Sequence, residues 1–176
     1  CQNFSISQFG WGKEISEDEL TEIMLNLQKS GANNVNLVTP THYTPLIINS
    51  IIRAKEKGLK LPIVWNSNAY ESVETLKALE GLVDIYLPDF RYFDKEAAKR
   101  YSDAENYAEI ATQAILEMYR QVGHIKEKNT IAFKGLMIRL LLLPENKNRV
   151  DKIMEWINDK LGNETYISLM GQYYPT

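Results

Sequence analysis

Five short apolar runs, each followed or preceded by a capped helical pattern, constrain this chain more than any other feature. The runs are "NVNLVT" from Asn34, "LPIVWN" from Leu61, "LVDIYLP" from Leu82, "GLMIRLLLLP" from Gly135 and "TYISLM" from Thr165. Near-continuous apolar runs of this length read as strands of a parallel sheet rather than half-exposed hairpins. Parallel neighbours need crossovers, and the intervening segments supply them. The fold class is therefore α/β.

The helical segments carry their own start and stop signals. Ser16 and Glu19 form a capping box, with Leu20, Ile23, Met24 and Leu27 on one face beyond it and Gly31 as the stop. Thr44 reads as a cap before Pro45, and Ser72 as a cap before Val73, Leu76 and Leu79. Ser102 with Glu105 reads as a second capping box, opening a stripe of Tyr107, Ile110, Ala111, Ala114, Ile115 and Met118. Asn148 and Asp151 open the last helix, and Gly162 follows it. "DKEAAKR" from Asp94 reads as a solvated helix face, and "HIKEKNTIAFKG" from His124 as a polar loop. No repeat, linker or low-complexity tract interrupts the order, so residues 1–176 read as a single domain.

Charge and cysteine content narrow the function classes. Lys+Arg 20 against Asp+Glu 23 gives a net charge of −3, which offers no broad basic field for nucleic acid or an anionic membrane. No apolar stretch approaches a bilayer span. Cys1 is the sole cysteine, which excludes an internal disulfide and fits a reducing compartment. The expectation is a cytoplasmic protein with no nucleic-acid or membrane partner.

In α/β folds of this kind, ligands gather at the C-terminal ends of the strands. Those ends read "TPTHYTP", "WNSNAY", "PDFRYFD", "LLPENKN" and "MGQYYPT". They hold hydroxyls, amides, acids, an arginine, His42 and aromatics, a set suited to a polar organic ligand. They lack the His/carboxylate set of a hydrolytic metal site and any Gly-rich phosphate loop. Spacing alone supports a strand-end pocket and names no reaction or catalytic residue.

The strand ends taken together resemble a family. "CQNFSIS", "LVTPTHYTP", "WNSNAY", "YLPDFRYFD", "EMYRQVG", "IRLLLLPEN" and "ISLMGQYYP" are similar, in order, to the radical SAM proteins related to pyruvate formate-lyase activating enzyme. The likeness is to the branch of uncharacterised activating-enzyme homologues, and it runs from Cys1 to Thr176.

The resemblance implies a partial (β/α)6 TIM-like barrel whose first strand is missing from this chain. It implies a [4Fe–4S] cluster held by C-x3-C-x2-C, with Cys1 as the third cysteine and the metal ligand of this chain. It further implies reductive cleavage of S-adenosylmethionine (SAM) to a 5′-deoxyadenosyl radical, an oxidoreductase-type chemistry supplied by the cofactors. Carried over position by position, it places Thr44, Asn66, Ser67, Asp89, Arg91, Arg139 and Gln172 around SAM. Arg91 stands where the family has Lys and would face the SAM carboxylate, with Asp89 beside it. Leu140 departs from the His that often follows the family arginine. The implied partners are an electron donor such as flavodoxin or ferredoxin and a glycyl-radical protein. This chain alone is expected to be inactive, and to self-associate through the strand edge uncovered at Val35–Val38. The rival expectation is a non-enzymatic α/β binding domain or cluster-less fragment.

Overall fold

A computed structural model gives the fold, and it describes Ile6 and residues 8–172. Cys1 lies outside the described residues. From residue 8 on, the described residues form, in order, α1 (Glu17–Lys29), β1 (Val35–Val38), α2 (Thr44–Glu56), β2 (Ile63–Ser67), α3 (Val73–Ala78), β3 (Ile85–Pro88), α4 (Lys95–Ser102), α5 (Tyr107–Val122), β4 (Lys126–Lys128), β5 (Ile131–Leu141), α6 (Val150–Leu161) and β6 (Tyr166–Met170). Short 3₁₀ turns at Thr41–Tyr43 and Pro144–Asn146 lead into α2 and toward α6. No helix among the described residues is long and apolar enough to cross a membrane.

The sheet is open and mostly parallel. Its parallel strands lie in chain order, β1-β2-β3-β5-β6, and β4 pairs antiparallel with the first part of β5. Register puts Val35 beside Ile63, Leu37 beside Trp65, Trp65 beside Tyr86 and Tyr86 beside Leu136. Alternation then carries Ile138 and Leu140 to the same face. Those buried residues join one continuous apolar cluster with Met24, Ile51, Leu76, Ala98, Met118 and Ile153, so α1 to α6 pack on that face. A sheet whose strand order never reverses keeps its right-handed crossovers on one side, which explains the one-sided packing. The opposite face carries Val64, Asn66, Ile85, Leu87, Asp89, Met137 and Arg139.

Local sequence signals account for most element boundaries. The Ser16 capping box forms in full: Ser16 Oγ accepts the Glu19 N–H at 3.1 Å and Glu19 Oε2 accepts the Ser16 N–H at 2.9 Å. Ser72 Oγ accepts the Thr75 N–H, and Asp94 Oδ1 the Ala97 N–H.

Four expectations need correction. Thr44 is the first residue of α2 rather than its cap, and its hydroxyl donates back to the Thr41 carbonyl at 2.7 Å. Ser102 ends α4, and Glu105 pairs with Lys95 and Lys99, so no second capping box forms. The start of α6 is held by Asn146, whose Oδ1 accepts the Val150 N–H, while buried Asn148 braces the preceding loop through Leu141 and Leu143. The polar segment from His124 is no loop but the β4–β5 hairpin, which crosses Gly135 closely.

Candidate functional site

Asp89 lies just beyond β3, at the point where three strand ends run side by side. Its N–H donates to the Ser67 carbonyl at 2.8 Å, and the next N–H, of Phe90, donates to the Arg139 carbonyl at 3.0 Å. The extended register therefore places Asn66, Asp89 and Arg139 on the sheet face opposite the one on which α1 to α6 pack. Ser67, one residue on, points the other way.

Two arginines share the Asp89 carboxylate. Arg139 Nε donates to Oδ1 at 2.6 Å, and Arg91 Nη2 donates to Oδ2 at 3.0 Å. Arg91 Nη2 also donates to Asn68 Oδ1 at 2.8 Å. The Asp89 side chain is only 14% exposed, so these bonds are shielded from water more than a surface pair would be. One carboxylate against two guanidinium groups leaves a local excess of one positive charge. The Nη groups of Arg139 have no partner among the described residues and remain available as donors.

Asn66 is a further neutral polar group on this face, two residues before Asn68. It is 8% exposed, and its carboxamide has no hydrogen-bond partner among the described residues. Its amide atoms still touch solvent, since Thr165 Oγ1 is the one fully buried side-chain polar atom left unpaired among the described residues, so the Asn66 amide is open to a polar ligand on this face.

Ser67 belongs to a different assembly. Its hydroxyl donates to Glu71 Oε2 and accepts the Ala69 N–H, which uses both of its hydrogen-bonding roles. Glu71 Oε1 accepts from Trp65 Nε1 at 2.8 Å and from Thr41 Oγ1 at 2.9 Å. This buried carboxylate ties the turn after β1 to the turn after β2. Both turns hold a left-handed residue, Thr39 at φ +53° and Ala69 at φ +59°. A non-glycine residue in that region persists only where its surroundings hold it.

The structure thus brings together Asn66, Asp89, Arg91 and Arg139 of the expected site. Thr44 and Ser67 turn their hydroxyls into the fold. Gln172 is exposed beyond β6 and makes no bond to the cluster. Two contributors carried no sequence signal. Asn68 is one amide among several residues of "WNSNAY", and Tyr107 is one more residue on an apolar stripe. A cleft lined by Tyr92, Tyr101, Leu143, Pro144 and Lys147 includes none of Asn66, Asp89, Arg91 and Arg139. Its lining is mainly aromatic and apolar, so the polar chemistry lies with the Asp89 cluster.

No group of three or more His, Cys, Asp or Glu residues able to hold a metal ion exists among the described residues. No protein-family model matches the chain. The uncharacterised protein MJ0674 of Methanocaldococcus jannaschii is 31% identical to it over 183 residues. That match takes in 99% of this chain and 49% of the archaeal protein, so the chain spans about half the length of the curated relative it matches.

Proposed function

We propose that the strand-end cluster binds S-adenosylmethionine, and that the chain is part of a radical SAM protein of the pyruvate formate-lyase activating type. The observation that carries this reading is the pair of arginines sharing Asp89, beside the unpaired Asn66 amide, at adjacent parallel strand ends. SAM presents a carboxylate, an ammonium, a sulfonium and ribose hydroxyls. Arg91 and Arg139 suit the carboxylate, because a guanidinium binds it through paired donors. The remaining lone pairs of Asp89 suit the ammonium or a ribose hydroxyl. Asn66 can both donate to and accept from the sugar. The sequential sheet with helices on one face is also what a partial (β/α)6 barrel would present, and the face opposite those helices would be the barrel interior.

The described residues do not fit a [4Fe–4S] cluster, which needs several thiolates. The resemblance assigns that cluster to a motif of which Cys1 is one member, and the roles of Asn66, Asp89, Arg91 and Arg139 concern SAM alone. Such a cluster, if held by that motif, would supply one-electron cleavage of SAM to a 5′-deoxyadenosyl radical. An electron donor such as flavodoxin or ferredoxin, and a glycyl-radical target, are proposed for the whole protein on the same resemblance.

Calorimetry with SAM on the intact protein tests the binding step, with Arg91→Ala as the variant. Losing a charge-assisted bond to a carboxylate lowers affinity by about 2–4 kcal/mol. Equal affinity of the two proteins removes Arg91 from the site. Anaerobic reconstitution with iron, sulfide and a reductant tests the reaction, and absence of 5′-deoxyadenosine from the loaded intact protein rejects it.

A further inference from the structure

Helical spacing puts Tyr107 on the inner side of α5, and the ring is buried there at 3% exposure. It packs edge-on against Tyr92 at 5.6 Å, tilted against Phe90 at 6.4 Å and stacked on Tyr70 at 5.9 Å. Burial alone would explain the ring. The hydroxyl has a more specific environment.

Three backbone groups from two strand ends meet at the phenolic oxygen. The Asp89 carbonyl lies 2.7 Å away and the Asn68 carbonyl 2.8 Å away, and the Arg91 N–H donates to the same oxygen at 2.9 Å. A phenol has one proton, so the two carbonyls share it while the oxygen accepts from Arg91. Burial pushes the phenol pKa well above its ordinary value, which keeps that proton in place. The three residues so held are the ones that build the exposed guanidinium: Arg91 itself, and the Asn68 and Asp89 side chains that accept from its Nη2.

We propose that Tyr107 is a positioning residue, which orients the Arg91 guanidinium toward a ligand carboxylate by clamping the backbone at Asn68, Asp89 and Arg91. The proposal rests on the reading of this cluster as a SAM site. A flexible arginine 43% exposed at the side chain would otherwise spread over many rotamers and lose entropy on binding. The clamp removes part of that loss beforehand. Its effect is confined to the carboxylate end of the ligand, which separates positioning from general support of the fold.

The test is calorimetry on the intact protein with two ligands, SAM and its decarboxylated analogue, which keeps the sulfonium and adenosine and lacks the carboxylate. Wild type, Tyr107→Phe and Tyr70→Phe are compared, the last because the Tyr70 hydroxyl, among the described residues, bonds Asn106 and none of the backbone groups at Asn68, Asp89 and Arg91. Tyr107→Phe loses about tenfold in affinity for SAM, one hydrogen bond's worth, and keeps its affinity for the analogue. Tyr70→Phe changes neither. A variant that weakens both ligands equally, or neither, overturns the positioning role while leaving the SAM site standing. Wild type that binds neither ligand overturns the site reading itself, and the proposal with it. Amide exchange at Arg91 in wild type is the second measurement and needs no variant to fold. Slow exchange there supports the clamp, and exchange as fast as at an open loop amide rejects it.

Discussion

Asp89 Oδ1 accepts a hydrogen bond from Arg139 Nε at 2.6 Å across 50 residues of sequence. This contact fastens the end of β3 to the last residues of β5 by side chains, where the backbone ladder is already giving way to a single bridge. With Arg91 on the other oxygen, the carboxylate is the hinge-pin of the site.

Replacing Asp89 with Ala leaves the Arg139 guanidinium without its acceptor and Arg91 with Asn68 Oδ1 alone, on a partly covered surface. Stability falls by about 1–3 kcal/mol, since charged hydrogen bonds of this kind are worth that much net. Urea unfolding reads the change, and a midpoint equal to wild type would mean that the two pairs contribute nothing beyond their desolvation cost.

Glu71→Ala acts on the neighbouring assembly. It strands the Trp65 indole N–H and the Thr41 and Ser67 hydroxyls, of which the first and last are buried. The expected loss is about 3 kcal/mol or more, from several donors left unpaired at once. Glu71→Gln costs less, because the carboxamide oxygen still accepts from Trp65 and Thr41 and its nitrogen can turn to Ser67. Equal unfolding midpoints for the two variants would show that the carboxylate is not what holds these turns.

Glu117 predicts an acid limb to the stability curve. Its carboxyl accepts from Arg120 Nε at 2.9 Å and Nη2 at 2.8 Å and from Gln121 Nε2 at 2.8 Å. The Arg120 hydrogen bonds, working against partial burial, lower its pKa from the ordinary 4.5 to about 2. A depressed folded-state pKa means that this contribution is complete above about pH 4.5 and drains away as pH falls toward 2. Urea midpoints between pH 6 and pH 2.5 therefore fall more steeply in wild type than in Glu117→Gln. Parallel pH profiles would refute the assignment.

Gly135→Ala tests the hairpin crossing. The residue sits at φ +125°, and a Cβ there would stand 2.5 Å from the His124 carbonyl oxygen and 2.5 Å from Ile125 Cα. Both obstacles are backbone and cannot swing aside. The variant loses at least about 2 kcal/mol, combining backbone strain with the clash. Thermal unfolding within a degree or two of wild type would mean that the hairpin rides higher over β5.

Much of this architecture was legible because its signals are local. Each of the five apolar runs became a parallel strand, and the Ser16 and Ser72 caps formed as written. The β4–β5 hairpin was not legible. Its turn is Asn129-Thr130, both at positive φ, and a turn of that kind is usually announced by glycine. Its strand β4 is all charged and exposed, with no apolar alternation to read. The capping box at Ser102 failed because Asp103 turns left-handed at φ +49° and ends α4 first. In the site, residue types at strand ends pointed to Asn66, Asp89, Arg91 and Arg139. Which way Ser67 faces depends on strand parity and on the Glu71 below it. The role of the Tyr107 hydroxyl depends on where three backbones meet, and no spacing encodes that.

Strand order has a consequence for how the chain is made. Because β1, β2 and β3 are laid down side by side in the order they are synthesised, each can pair with its neighbour as soon as it emerges. Asp89 and Arg91 leave the ribosome almost together and can meet at once. Arg139 follows 50 residues later and is the last of the four to arrive. A nascent chain stopped before β5 would hold half a sheet and an incomplete site, with the Asp89 carboxylate still one partner short. Force profiles of stalled chains should then show one pulling event as β3 docks and a second only after β5 clears the exit tunnel. A single late event would mean that the sheet waits for its centre before any of it forms.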